Sequence, residues 1–531
     1  MSGPRPRTIL ARPRYGPLVG ALVPWVLSMW PTLLPRGVVV QGCVSGVCAA
    51  LGWLTGLVAG HAVHHGLAAI GRPVSPAVRR VAWRLLAVLA PVVAVIALVQ
   101  WYRWQNEQRR SIGMPEIPFW WVVPVTLVSI VVLAVLVLIG RLVVAGVMWI
   151  DRRVERVVPR WWARLAIGVV LVLVVVGALN IGKDRIVSWA DTSFGAVNET
   201  SPDGIGPPRY SGDSGSAESL VPWDTLGFQG RTFAGGGPGA EDIAVLNPDA
   251  GPGGTAVEPI RVYVGLDSAD SVEARTDLAM RELERSGAFD RDVLVVWTAT
   301  GTGWVNPDAA RAIEIMHGGN TAIVSVQYSF LPSWIAFLVD PDNAAEAGIS
   351  LFDAVQQRWA DLPADDRPEL IVYGESLGSQ GGERAFSGDG QPAQESLEEV
   401  VAETDGALFV GPVASNAIYG RMVDERDRGS PSWRPALAAV PELRVANAAG
   451  EIDADDTSWT SPRILYLHHP TDAVGTWSPA ALWRPPGWTE HPVGRGVPGR
   501  VRWFPVVTWV QETADLMAGF SAKTGYGHDY N

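Results

Sequence analysis

The sequence predicts two parts: an all-α transmembrane domain, then an α/β domain with a mostly parallel sheet covered by helices on both faces. Three observations carry this. Residues 1–185 hold 20 Lys+Arg against 5 Asp+Glu and the remainder 22 against 49, which together give the net charge of −12. Apolar runs near the roughly 20 residues a bilayer span needs occur only in the first part. Short β-branched runs alternating with helical patterns occur only in the second, as buried parallel strands do. With 531 residues, the chain has room for several domains. The acidic half carries no basic stripe, which excludes a nucleic-acid binder.

Five stretches qualify, or nearly qualify, as spans: 17–34, 37–60, 85–101, 118–140 and 165–181. Pro24 and Pro31 interrupt the first. No short apolar core followed by a small-residue cleavage site occurs, so no removable signal peptide is expected. With the N-terminus inside, the inner segments hold 14 arginines and the outer ones four (Arg36, Arg103, Arg109, Arg110). The positive-inside bias then puts the C-terminal half outside the cytoplasm if there are five crossings, whereas four would reverse it. Trp25, Trp53, Trp101, Trp120, Trp121, Trp161 and Trp162 fall near span ends, as interfacial anchors do. Cys43 and Cys48 lie in an apolar run and read as small buried residues rather than metal ligands. His61, His64 and His65 read as an interfacial loop. Few polar residues fall within the spans, which favours an anchor over a transport path.

Residues 186–258, rich in Gly, Pro, Ser and Asp, read as a linker with one short strand at 242–246. Residues 259–531 form the α/β domain. Its expected strands are 260–266, 293–297, 322–328, 370–374, 407–411, 464–468 and 501–507, with helices at 270–286, 307–317, 346–361, 377–387 and 508–519. An insertion is expected at 412–463. In it Trp433, Tyr419 and Trp459, with Trp334, either line an apolar acyl pocket or fill core.

The stretch 370-LIVYGESLGSQGG-382 places G-x-S-x-G between a strand and a helix. In that context Ser376 sits on a sharp turn with an exposed Oγ, and flanking glycines leave it room. Ser379 is a local rival inside the helix. The plainer alternative is a serine that merely caps the helix.

A serine nucleophile needs a base, and the base an orienting acid, in the chain order Ser, acid, His. Downstream stand His468, His469, His491 and His528. His528, in 525-GYGHDYN-531, follows every expected strand and is preferred to His491. Asp472, just past strand 464–468, is the preferred acid over Asp453, Asp455, Asp456 and Asp424. An oxyanion hole would use the Leu377 N–H and one from 297-WTATGTGWVNP-307, at Ala299 or Thr300. The glycines match no nucleotide-binding pattern.

Taken together, 261-RVYVGL-266, 300-TGTGWV-305, 327-QYSFLPSW-334, 372-VYGESLGSQG-381, 428-RGSPSW-433, 465-LYLHHPTD-472 and 525-GYGH-528 resemble a bacterial, largely actinobacterial, family of membrane-anchored α/β-hydrolases with a multi-helix N-terminal domain. The resemblance covers roughly 225–531, and the helical part fits the family's other domain. It implies the α/β-hydrolase fold, with Ser376 as nucleophile, Asp472 as acid and His528 as base. Ala473 stands where the family leads one to expect proline, and helix 508–519 is long for the wider superfamily.

The expected function is a membrane-anchored serine hydrolase facing outward. It would cleave carboxylic esters of a lipid, or of an acylated or aminoacylated lipid, through an acyl-enzyme. It would need neither cofactor nor metal, and its partners would be the bilayer and the ester substrate. Acyl transfer by the same mechanism is the near alternative. A non-catalytic membrane scaffold or transport-associated binding protein is the distant one. Oligomeric state is not legible.

Overall fold

The computed structural model describes residues 15–71, 74–154, 192–333, 335–336, 342–452 and 459–530, with short stretches between 177 and 190. The chain forms two compact units: Met1–Asn180 with Pro470–Asp529, and Ile181–His469 with Tyr530–Asn531.

In the first unit, three helices among the described residues are long and apolar enough to cross a membrane: Val38–Ala69, Pro76–Ser111 and Phe119–Trp149. Val58, Ile96, Val131 and Leu138 stand exposed along them. The expected first span, 17–34, is instead a 13-residue helix, Tyr15–Leu27. Pro31 and Pro35 cannot donate to a continuing helix, and the chain beyond Leu27 becomes a compact stretch in which Ser28, Thr32 and Arg36 are buried. The fifth expected span, like Trp161 and Trp162, lies outside the described residues apart from isolated positions. Trp120 is exposed, but Trp101 is buried with Met29, Ala97 and Val125, so it is core rather than anchor. The first two helices approach backbone to backbone: a Cβ on Gly20 would lie 2.3 Å from the Gly52 carbonyl oxygen. Only small residues permit that approach. His61, His64 and His65, expected in a loop, lie instead on the helix Val38–Ala69, where the exposed ring of His65 meets those of His61 and His64 edge-on.

The C-terminal segment of this unit ends in the helix Val507–Gly519. The expected strand 501–507 is absent. Val501 packs with Leu33, Leu34 and Trp488, while Pro505 and a positive φ at Val506 turn the chain into the helix. Of 501–507 only Val501 and Val507 are buried, with Trp503 and Phe504 half-buried, so its β-branched and aromatic composition does not mark a place in a sheet.

The second unit is a seven-stranded sheet, all parallel, in the order β1-β3-β2-β4-β5-β7-β6. The strands are β1 Ile260–Val264, β2 Val293–Thr298, β3 Thr321–Val326, β4 Glu369–Glu375, β5 Gly406–Val410, β6 Leu443–Ala446 and β7 Arg463–Leu467. β1, β2 and β3 are buried throughout, which is why each is dominated by apolar residues, with Arg261 in β1 and Ser325 in β3 the polar interruptions. Amphipathic helices such as Val272–Ser286 and Asn343–Ala360 bury one face each. β6 is not legible in the sequence, being four residues long and half-buried at the sheet edge. It falls within the expected insertion, as does the helix Ala417–Glu425.

The Gly/Pro-rich stretch forms structure of its own. The expected strand at 242–246 is the helix Ala240–Leu246, whose Asp242 accepts from the Gly239 N–H at the helix start. Asp213 and Ser214 run along β1: Asp213 accepts the Arg261 N–H at 2.8 Å, and Ser214 Oγ accepts that of Tyr263 at 3.0 Å. These contacts cover a sheet edge that would otherwise invite pairing. Beneath them Arg261 forms a two-pronged pair with Glu314 (2.6 and 3.0 Å).

Candidate active site

The sheet order reverses around β2 and β4: β3 and β1 lie to one side, β5, β7 and β6 to the other. Ligand sites in such sheets lie outside the carboxyl ends of the strands at the reversal. Ser376 follows β4 there, and loop 299–304 follows β2.

Ser376 has φ 56° and ψ −123° and opens the helix Leu377–Arg384 without a side-chain capping hydrogen bond. A non-glycine residue in this region costs about 1–3 kcal/mol and persists only where its surroundings enforce it. The enforcement is visible. The Ser376 N–H donates to the Val410 carbonyl of β5 at 2.9 Å. A Cβ at Gly374 would lie 2.3 Å from the Gly378 carbonyl oxygen, and one at Gly378 2.2 Å from that of Thr298. The turn is therefore closed on both sides by main chain, and only glycine fits the flanks. Ser379 is fully buried and donates to the Ser376 carbonyl at 2.7 Å, so it braces the turn.

The same close approach lays the main chain at Thr298 and Ala299 against the start of the elbow helix. Leu377 is in the first turn, where backbone N–H groups have no intrahelical acceptor. The Thr300 N–H already donates to the Trp304 carbonyl at 3.1 Å, and that of Gly301 to Ser333 Oγ at 3.3 Å. Those bonds favour Ala299 over Thr300 as the loop's donor.

Within the first unit, Asp472 and His528 form a pair: His528 Nδ1 lies 2.7 Å from Asp472 Oδ2, and both side chains are buried. The other carboxylate oxygen, Oδ1, accepts the Val474 N–H at 2.8 Å, capping the one-turn helix Ala473–Thr476. Ala473 thus occupies the first helical position, one that proline also suits. The turn bearing His528 is held by the Gly527 N–H on Thr471 Oγ1 (2.8 Å) and the His528 N–H on the Gly519 carbonyl (3.1 Å). The chain end around His528 is accordingly ordered. It is thus the Nδ1 edge of the ring that faces the carboxylate.

The alternatives fare differently. His491 and Asp424 are exposed. Asp453, Asp455 and Asp456 lie outside the described residues, as does Trp334. His468 is buried with Nδ1 3.0 Å from Tyr419 Oη, and the His469 ring stacks on Tyr530. Tyr419 is core, packed on Tyr466. Trp459 is flanked by Arg444 and Arg463 and donates to the Glu442 carbonyl. Neither aromatic supports the acyl-pocket expectation.

Two family models match: one described as "Alpha/beta-hydrolase family" over residues 260–531, and one described as "Alpha/beta-hydrolase family N-terminus" over residues 29–238. The chain belongs to the alpha/beta-hydrolase family. Membership supports a hydrolase-type function. No curated protein and no solved structure matches the chain.

Two features of this hydrolase escape sequence reading. Behind the elbow, Glu375 Oε2 accepts from Asn306 Nδ2 (3.0 Å) and Tyr373 Oη (3.3 Å). Glu383, at the far end of the elbow helix, accepts the Ile418 and Tyr419 N–H groups at the start of helix Ala417–Glu425. Burial raises its pKa to about 7, against the lowering effect of hydrogen bonds from Asn416, Ile418, Tyr466 and Tyr419. The only sequence signal for Glu383 is an acidic residue on an otherwise small and buried helix.

Proposed function

We propose that the protein is a membrane-anchored serine hydrolase that cleaves carboxylic esters, with Ser376 as nucleophile, His528 as general base and then acid, and Asp472 orienting the imidazole. The observation that carries this reading is the backbone of Ser376, a non-glycine residue at φ 56°, where a mere helix-capping serine would be extended. The Asp472–His528 pair, five residues past β7 and in the chain order this chemistry uses, supports it.

On this reading Ser376 Oγ attacks the ester carbonyl while His528 Nε2 takes its proton. The oxyanion accepts from the Leu377 N–H and that of Ala299, with Thr300 the less favoured donor. The imidazolium then protonates the leaving alcohol, and water, activated by the same imidazole, releases the acid and restores Ser376. The three apolar helices favour a substrate held at a bilayer, hence a lipid ester, and the arginine bias favours an extracytoplasmic catalytic domain in the cell membrane.

The test is labelling of detergent-extracted protein by a fluorophosphonate, with wild type beside Ser376→Ala, Asp472→Asn and His528→Ala. Labelling of wild type, its loss in Ser376→Ala and a slow rate in the other two are expected. Equal labelling of Ser376→Ala would sink the assignment. Ester turnover that yields a new ester when an alcohol is supplied would convert the reading to acyl transfer.

A further inference from the structure

We infer that Arg36, in the N-terminal helical part, is a positioning residue for the Asp472–His528 pair, acting through a buried ion pair with Asp515 on the helix Val507–Gly519. The inference rests on the proposed function and adds to it a requirement that the membrane-helix part complete the catalytic base.

The chain of contacts lies wholly within the first unit. Arg36 Nε donates to Asp515 Oδ1 at 2.7 Å, with both side chains about fully buried (1% and 0% exposed). The rest of the guanidinium is engaged too: Nη1 reaches Gln41 Oε1 (3.3 Å), and Nη2 reaches the Gln511 carbonyl (3.3 Å) and Thr32 Oγ1. One turn before Asp515, Gln511 Nε2 donates to the Ser28 and Trp30 carbonyls at 3.0 and 2.9 Å. The helix is thereby fixed in rotation and along its axis by groups from residues 28–41.

That helix supports both members of the pair. One turn beyond Asp515, the Gly519 carbonyl accepts the His528 N–H, and the Phe520 ring meets the imidazole edge-on at 5.4 Å. From another face, Glu512 accepts from Trp488 Nε1 (2.9 Å) and Thr476 Oγ1 (3.2 Å), and that hydroxyl also lies 3.2 Å from the Asp472 carbonyl oxygen. A shift of the helix would move Gly519 and Glu512 together and displace the base and its orienting acid as one body. A buried ion pair adds little net stability because desolvation offsets its attraction, but the guanidinium fork fixes direction. A catalytic geometry needs direction, since a misplacement of about 1 Å can cost roughly 100-fold.

The experiment uses full-length protein in detergent, read by p-nitrophenyl butyrate turnover, fluorophosphonate labelling rate and thermal unfolding. Arg36→Met is expected to lower kcat and the labelling rate about 10- to 100-fold, with KM within about twofold, at temperatures where it remains folded. Arg36→Lys, which keeps the charge and one donor direction, is expected to recover to within about fivefold of wild type. Should Arg36→Met fail to fold, Asp515→Asn, which keeps the shape of the acceptor, is expected to show the same loss in kcat at smaller size. A folded Arg36→Met or Asp515→Asn with wild-type kcat overturns the inference, as does a loss shared equally by kcat and KM that Arg36→Lys does not rescue. Absence of labelling in wild type is the distinct result that removes the hydrolase reading itself.

Discussion

The elbow around Ser376 and the pair around His528 are built by opposite means. The elbow is a backbone device: its geometry comes from β4, the Val410 carbonyl of β5, and glycines that leave no room for a side chain. The Asp472–His528 pair is a side-chain device, set on a turn and a one-turn helix that a longer helix supports. Backbone devices fail when a Cβ is added; side-chain devices fail when a functional group is removed. The two halves should therefore separate under mutation into loss of fold and loss of chemistry.

The largest effect expected is on chemistry. Ser376→Ala should reduce ester turnover by about 10⁴-fold or more, with an unfolding midpoint at or above that of wild type because alanine leaves the turn's main-chain bonds in place. Asp472→Asn should follow at about 10³- to 10⁴-fold, since an amide presents the wrong partner to Nδ1. Both are measured by steady-state turnover beside a melting curve. A melt lowered as far as activity would erase the contrast between the halves. Gly378→Val should do the reverse: its side chain would enter space 2.2 Å from the Thr298 carbonyl, and loss of soluble, folded protein is expected, read by yield and size-exclusion profile.

The smallest effect sharpens the comparison, because each half includes a buried carboxyl whose pKa is raised. Burial raises Glu383, on the elbow helix, to about 7 and Glu512, on the helix behind His528, to about 8, each from an ordinary 4.5. A raised folded-state pKa means the folded protein binds the proton more tightly than the unfolded chain. The associated stability is complete below about pH 4.5 and is lost as pH rises through the folded value. Relative to wild type, Glu383→Gln should flatten the fall in unfolding midpoint between about pH 4.5 and 7, and Glu512→Gln should flatten it up to about 8. Identical pH curves for wild type and either variant would show that the carboxyl does not titrate in that window.

What the sequence discloses follows the same division. Ser376 is legible because the strand, the two glycines and the helix that make its turn are contiguous in sequence, although the Val410 and Thr298 carbonyls that close the turn are remote. Asp472 and His528 are legible only through the chain order of the chemistry. Their support is not: Arg36 and Asp515 are separated by 479 positions, and neither stands out in composition. The region 501–507 reads as a strand because Val, Trp and Phe suit a strand and a half-buried irregular segment alike. β6 is missed because four half-buried edge residues carry too weak a pattern, and helix Ala240–Leu246 because Ile243 and Val245 suggest a strand while its start is fixed by an acidic side chain.

The separation of Arg36 from Asp515 has a consequence for the order in which the molecule is made. Arg36 leaves the ribosome 479 residues before its buried partner Asp515. Until Asp515 follows, the socket formed by residues 28–41 holds a guanidinium without its carboxylate, and the turn that bears His528, which comes later still, has not been made. On the proposed chemistry, the nascent chain can raise its nucleophile but cannot activate it. On that same reading, a chain made in this order stays inert towards a surrounding bilayer until the helix Val507–Gly519 and the His528 turn after it have docked.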